Sequence, residues 1–348
     1  MEELLLHYLN LAPTVVLLVI VAVMLYTLGK GADILVDQAV SLSINMGIPK
    51  MVVGATIVSL GTTLPEATIS VLAAVKGNPD LALGNAIGSI IADTGLIIGL
   101  AAMMGNLPVD KNTINRQGRI QFLAGVLLAV VCLPIWTTKV GFIESFNHSG
   151  NIPQFVGFIF LGLLVAYIFM SIRWAKKDGV NNDVVESEKP NEEDGEKTTL
   201  AVQLLKMGLG VVIVIASSRI LIPSVEITAI RVGIPQAIIA ATLVAFGTSL
   251  PELVTAITAV RKGHGELAIG NIVGADILNV LFVVGSAAAV TPSGLRVPGA
   301  FYHLQIPTML LVLGIFRMFS RSGKDIDRKE GMALFAFYAI YLVLNFVL

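Results

Sequence analysis

The sequence predicts an all-α, polytopic membrane protein of ten transmembrane helices arranged as two inverted five-helix repeats. Three observations carry that prediction. Hydrophobic residues make up 55% of the 348 and charged residues only 14%. The hydrophobic residues fall in long unbroken runs. The chain also repeats itself at a constant offset of 186 residues, Gly47-Ile48-Pro49 returning as Gly233-Ile234-Pro235.

Composition comes first. A water-soluble domain carries about 25% charged residues, so this chain lacks the polar surface to cover itself in water. Mean hydropathy is +0.84. Runs such as Pro13 to Leu28, Phe122 to Trp136, Val156 to Ile172 and Met332 to Leu348 approach the ~20 helical residues that cross a ~30 Å hydrocarbon core. A transmembrane barrel would show alternating segments of about ten residues instead. The ten predicted spans are 13–35, 50–76, 79–105, 119–137, 153–174, 200–222, 235–261, 265–290, 299–319 and 330–348. Net charge is −1, which points to no nucleic-acid partner. The single cysteine, Cys132, sits in an apolar run and reads as a core residue. Glu2 and Glu3 stand where a cleaved signal peptide would be basic, so none is expected.

Orientation follows from Lys and Arg, which favour cytoplasmic segments. With the N-terminus outside, 16 fall in cytoplasmic segments and 5 in outer ones, with Lys30 and Lys206 lying inside spans. Both termini are therefore expected outside, in the cell membrane. The polar stretch 176–199 holds Glu192, Glu193 and Asp194 and few apolar residues. It reads as a flexible cytoplasmic linker between a first repeat, 1–175, and a second, 200–348.

The repeat extends to chemistry. Gly61-Thr62-Thr63-Leu64-Pro65-Glu66 returns as Gly247-Thr248-Ser249-Leu250-Pro251-Glu252, and Gly84-Asn85 with Gly88 returns as Gly270-Asn271 with Gly274. Over 47–100 and 233–286, 21 of 54 aligned positions are identical. Five spans per repeat is an odd number, so the second copy enters the membrane from the opposite side. Equivalent residues of the two copies then converge near the bilayer midplane.

Glu66 and Glu252 are the strongest functional signal. A carboxylate at the bilayer centre costs about 2.5–3.5 kcal/mol even on lenient insertion scales. Two at symmetric positions repel, and neither motif holds Lys or Arg, so a bound cation is the economical partner. Pro65 and Pro251 supply no N–H and release backbone carbonyls around Ser59 to Thr62 and Ala245 to Thr248. Thr62, Thr63, Thr248 and Ser249 add hydroxyls. Hard cations take six to eight such oxygens. The motifs carry no His or Cys, which argues against a transition-metal site. Asn85, Ser89 and Asp93 recur at i, i+4 and i+8 on one helical face, matched by Asn271, Ala275 and Asn279. Gly84, Gly88, Gly270 and Gly274 are expected to let these helices pack closely.

The paired Gly-Thr-Thr-Leu-Pro-Glu and Gly-Thr-Ser-Leu-Pro-Glu motifs, each followed by Gly-Asn-x-x-Gly, resemble the two alpha-repeats of the Ca²⁺/cation antiporter superfamily, in its Na⁺/Ca²⁺ exchanger branch. The resemblance covers essentially the whole chain. It implies an antiporter of Ca²⁺ against Na⁺ working by alternating access, with inorganic cations as substrates and no cofactor or protein partner. It implies a central Ca²⁺ site of Glu66, Glu252, Thr62 and Thr248. Thr63, Ser89 and Ser249 would help bind Na⁺, Asn85, Asp93, Asn271 and Asn279 would line the same oxygen cluster, and the first and sixth spans would slide as gates. This chain departs from the pattern at Thr63, where Ser is usual; at Ala275, where a Ser is usual; and at Asp276, where an amide is common.

Three other classes stand beside it, one of them a channel with the two glutamates as its filter, against which inverted repeats with broken helices point to alternating access. A proton-coupled divalent exchanger, or one moving Mg²⁺ or Mn²⁺, would use the same two glutamates. Proton-coupled relatives, however, carry an acid where Gly88 and Gly274 stand. An intramembrane enzyme would need an acid/base dyad or a nucleophile, and the chain has neither an HExxH nor a Gly-x-Ser-x-Gly motif.

Overall fold

The computed structural model describes residues 2–134, 148–179, 199–233 and 247–347. Helices dominate: α1 (Glu2–Leu11), α2 (Thr14–Met46), α3 (Lys50–Thr62), α4 (Leu64–Val75), α5 (Pro79–Met104), α6 (Lys111–Cys132), α7 (Gln154–Gly179), α8 (Leu200–Arg231), α9 (Leu250–Arg261), α10 (Gly265–Ala289), α11 (Gln305–Ser322) and α12 (Arg328–Val347). Among the described residues, six helical stretches are long and apolar enough to cross a membrane, or seven if the bent pair α3–α4 counts as one span. Each of the other predicted spans, 119–137, 235–261 and 330–348, contains a helix: α6, α9 and α12. The first half of the seventh span and most of the proposed linker lie outside the described residues.

Two spans run longer than predicted. α2 continues past residue 35 to Met46, and α8 continues past 222 to Arg231, giving 33 and 32 residues. At 1.5 Å per residue each is about 50 Å, well beyond the ~30 Å hydrocarbon core. α2 stops only at Gly47, whose φ of 64° lets the chain leave the helix in the left-handed region. Pro223 lies inside α8 without ending it, and Ser224 Oγ donates to the Ile220 carbonyl one turn back, 2.7 Å away.

α2 and α8 pack antiparallel along their length. Thr27 Oγ1 and Ser217 Oγ are 3.0 Å apart, and the Arg231 guanidinium donates to the carbonyls of Ala12 (2.6 Å) and Asn10 (2.7 Å). A Cβ on Gly210 would meet Leu35 N at 2.9 Å and Gly31 O at 3.0 Å, so here the two backbones nearly touch. The outward faces of α2, α7 and α8 expose Val15, Val19, Phe155, Phe169, Leu205 and Val212, as lipid-facing helices do.

α5 and α10 form the centre and are the most enclosed of the long helices. α10 lies against α3 backbone to backbone. A Cβ on Gly270 would fall 2.2 Å from Met51 O, and one on Gly274 2.4 Å from Ala55 O. The expected close packing therefore holds for Gly270 and Gly274. Gly84 has only the Phe301 ring nearby, and Gly88 has open space among the described residues.

The all-α expectation needs one small addition. Two short antiparallel ribbons link loops of the two halves. β1 (Leu107–Pro108), after α5, pairs with β4 (Asp325–Ile326), after α11; β2 (Gly150–Ile152), after α6, pairs with β3 (Leu295–Val297), after α10.

Candidate cation site

The first Gly-Thr-x-Leu-Pro-Glu motif forms a helix break, and the second leads into the start of α9. α3 and α4 meet at 45°, with Thr63 at φ −80°, ψ −1° between them. Ser249, before α9, has nearly the same backbone, φ −83°, ψ 9°. The following proline sits in the first turn of the new helix, where a missing N–H costs nothing. Glu66 and Glu252 also occupy first turns, where the helix dipole favours negative charge. The carbonyl of Gly61, four residues before Pro65, loses its helical donor. The Ser59 carbonyl, expected to be free, is not: it accepts from Thr63 N at 2.9 Å.

The two motifs face each other. Glu66 and Glu252 are both 1% exposed and within electrostatic reach of one another. Their hydroxyl partners are exchanged between the halves. Thr248 faces Glu66, while Thr62 and Thr63 face Glu252. Ser89 Oγ lies 3.4 Å from Thr248 Oγ1, and Thr62 Oγ1 donates to Asn271 Oδ1 at 3.4 Å. Many of these groups approach without closing a hydrogen bond. Oε2 of both glutamates, Thr63 Oγ1, Ser249 Oγ, Asp93 Oδ1, Asn279 Oδ1 and Asn271 Nδ2 are buried and without a hydrogen-bond partner among the described residues. Unpaired buried polar atoms are costly, and most of these are oxygens.

Asp93 is the second residue of the wide π-helical turn Ala92–Ile97 and Asn279 the first of Asn279–Val284, two turns related by the 186-residue offset to within one residue. Such turns are frequent at functional sites. Asn85 sits differently from its counterpart Asn271. Its amide donates to Glu66 O at 3.1 Å and to Ser70 Oγ at 2.9 Å, tying α5 to the backbone of the broken helix. All eleven predicted site residues thus lie on the two motifs and the facing stretches of α5 and α10.

Four polar residues joined to this cluster were not predicted as site residues. Ser70 anchors Asn85 and donates to Ala82 O at 2.9 Å. Asp276 accepts from Thr94 and Gln121. Only Asp276 carried a signal in the sequence, as an acid where an amide is common. Ser70, Thr94 and Gln121 stand outside the repeated motifs.

The donor set is made of carboxylate, hydroxyl and amide oxygens. Among the described residues, no three His, Cys, Asp or Glu side chains gather at metal-binding distance, and no Lys or Arg is buried. Two cavities reach the cluster. One, of about 280 Å³, runs past Asp80, Asn85, Ser89 and Thr248 toward Tyr338 and Asn345. The other, of about 670 Å³, runs between α8 and the motifs, from Pro65, Thr248 and Pro251 to Arg219 and Glu226. Both end on Asn85 and Thr248.

Comparison with known proteins gives this arrangement a family. The sodium/calcium exchanger protein family profile matches residues 16–173 and 202–347. The inner membrane protein YrbG of Escherichia coli is 31% identical over 317 residues, 90% of this chain and 91% of that one. The sodium/calcium exchanger MaX1 of Methanosarcina acetivorans is 28% identical, over 91% of this chain and 95% of that one. The solved structure of the sodium-calcium exchanger NCX_Mj soaked with Na⁺ and Sr²⁺ superposes with a TM-score of 0.75 at 25% identity, covering 95% of this chain and 99% of that one. This chain is an integral membrane protein that belongs to the sodium/calcium exchanger family.

Proposed function

We propose that this protein exchanges Ca²⁺ against Na⁺ by alternating access, with Ca²⁺ held between Glu66 and Glu252. The observation that carries the reading is the pair itself. Two buried carboxylates in the first turns of α4 and α9 each keep an oxygen without a partner, and among the described residues no buried Lys or Arg balances them. A divalent ion neutralises both at once. Thr62 and Thr248 complete the central oxygens; Thr63, Ser89 and Ser249 serve Na⁺; Asn85, Asp93, Asn271 and Asn279 line the pathway. Relatives whose names state sodium/calcium exchange support Na⁺ as the counter-ion.

The ten-span, inverted-repeat arrangement, with halves 1–175 and 200–348 joined by the 176–199 linker, belongs to the same proposal. The crossed ribbons β1–β4 and β2–β3 and the repeated π-turns support it. With both termini outside, the two cavities open outward, and α2 and α8 are the elements that slide to close them.

The test is transport by the purified protein in Na⁺-loaded vesicles. Uptake of ⁴⁵Ca²⁺ into vesicles placed in Na⁺-free medium is expected, and Glu66→Gln or Glu252→Gln should abolish it. Uptake that ignores Na⁺ but follows an imposed pH gradient would replace Na⁺ with H⁺. No Ca²⁺ uptake under either gradient would reject Ca²⁺ as the substrate and direct the assay to Mg²⁺ and Mn²⁺.

A further inference from the structure

The two halves of the chain stand in different conformations. In the second half α9 is docked. Its Leu250 and Val254 pack against a cluster built by Leu28 and Ala32 of α2 with Val214 and Leu221 of α8. Lys262, just past the end of α9, bridges to Asp37 and Asp33 of α2 at 2.7 and 3.2 Å. The 186-residue offset exchanges α9 for α4 and α2 for α8, so the counterparts are Leu64, Thr68 and Lys76 on one side and residues 219 and 223 on the other. There the docking is missing. Leu64 is 43% exposed and Thr68 is exposed. The larger cavity stands between Pro65 and Ile69 of α4 and Arg219, Ile222 and Pro223 of α8.

In an inverted-repeat transporter the halves rock against each other, and the alternate state is reached when they exchange arrangements. Closing the larger cavity then sets α4 on α8 as α9 now sits on α2. It brings residue 76 to residues 219 and 223, and it releases Lys262. The lysine recurs in both halves, but the acids do not. Where α2 has Asp33 and Asp37, α8 has Arg219 and Pro223. Lys76 would therefore meet a like charge and an apolar ring, so the attraction that holds one closed side is replaced by repulsion at the other. Glu226, one turn beyond Pro223, also lines the cavity, and its counterpart on α2 is the uncharged Val40.

We propose that this chain carries a one-sided ionic latch: Lys262 with Asp33 and Asp37 stabilises the state whose cavities are open, and Arg219 denies the matching tie to the state whose cavities are closed. In the proposed topology the protein therefore rests open to the outside, with the α2–α9 seam sealing the cytoplasmic face. The proposal rests on the alternating-access reading and is independent of which ions are moved. Ion pairs this exposed shift an equilibrium by about two- to fivefold. That is enough to set the resting ratio of two states of similar free energy.

The test reads the two states by thiol labelling of the full-length protein in sealed vesicles, with no transport in the assay. Val36 and Ile222 are equivalent positions on α2 and α8. Val36 is fully buried, whereas Ile222 lines the larger cavity. Ile222→Cys should react readily with a membrane-impermeant maleimide from outside. Val36→Cys should react slowly, and only from the cytoplasmic side, in proportion to the closed-cavity state. Adding Lys262→Met should speed the Val36→Cys reaction by about two- to fivefold. Arg219→Asp, compared with Arg219→Asn, should speed it by a similar factor, and Lys76→Met should cancel that gain. Labelling that ignores Lys262→Met, or that is equal for Arg219→Asp and Arg219→Asn, overturns the latch. So does a slowing by Glu226→Gln as large as the gain from Lys262→Met, because Glu226 would then hold Lys76 and the device would have two sides. Should Val36→Cys fail to fold, Val254→Cys on α9 reports on the same seam. Absence of cytoplasmic labelling in every variant, with Ile222→Cys still reacting from outside, would sink alternating access itself. Cytoplasmic labelling that is present but unmoved by the charge changes would sink the latch alone.

Discussion

Lys262, just past the end of α9, places its ammonium 2.7 Å from Asp37 Oδ1 and 3.2 Å from Asp33 Oδ1 on the long helix α2. Lys30 does approach Asp33, at 3.9 Å, but the shorter bridges come from the other half of the protein. They tie α2, a proposed sliding gate, to the helix that carries Glu252.

Lys262→Met is therefore expected to change gating more than stability. Its partners are 40% and 56% exposed, and exposed pairs contribute only about 0–1 kcal/mol. The unfolding midpoint should move little, while the exchange rate changes severalfold. Partial burial lowers the ammonium's pKa, but hydrogen bonds and charge from Asp37 and Asp33 outweigh it, so the net shift is upward. A raised folded-state pKa means the tie is complete below the ordinary lysine value of about 10.4 and is lost as pH rises through the folded value. Wild-type rates should thus converge on the Lys262→Met rate only in strongly alkaline medium. A flat difference between the two across that range would reject the assignment.

Glu66→Gln and Glu252→Gln should separate function from stability. Each removes a ligand charge, and Ca²⁺ transport should fall at least about a hundredfold, the scale of a lost charged partner. Each also removes a buried charge that the ion-free protein cannot pair. Thermal unfolding in ion-free detergent is therefore expected to show both variants as stable as wild type or more so. A large loss of stability would mean the carboxylates act mainly as structural groups.

Gly270→Ala and Gly274→Ala should destabilise by about 1–3 kcal/mol, the usual cost of overpacking. The new methyl groups would meet the carbonyls of Met51 and Ala55, which belong to backbone and cannot swing away. Gly208→Ala on α8 is the control, because nothing among the described residues lies within 4 Å of its added carbon and helix propensity favours alanine. Equal unfolding midpoints for all three would contradict the close α3–α10 contact.

Orientation and the outward opening can be checked with thiol chemistry. Cys132, the single cysteine, is buried and should stay unmodified. Asn345→Cys, at the mouth of the smaller cavity, should react with a membrane-impermeant thiol reagent added from outside. Reaction only from the inner side would invert the proposed topology.

Much of this protein was legible in one dimension. Lipid exposure follows from a low share of charged residues, a property of composition alone. The duplication, and with it the equivalence of Glu66 and Glu252, is a matter of offset along the chain. The break at Thr63 and the start of α9 after Ser249 follow from the prolines two residues later, because a missing N–H acts locally. The i, i+4, i+8 spacing put Asn85, Ser89 and Asp93 on one face of α5.

Spacing says which residues share a face but not what that face meets. The tertiary structure decided that Thr248 serves Glu66 while Thr62 and Thr63 serve Glu252. It decided that Asn85 leans on Ser70 while Asn271 takes the hydroxyl of Thr62, because residue 256, the counterpart of Ser70, is an alanine. It also joined Asp276 to Thr94 and Gln121, residues 182 and 155 positions away. Composition, offset and proline act within a few residues of themselves. A hydrogen bond needs two atoms about 3 Å apart, and only the packed helices bring such distant residues that close.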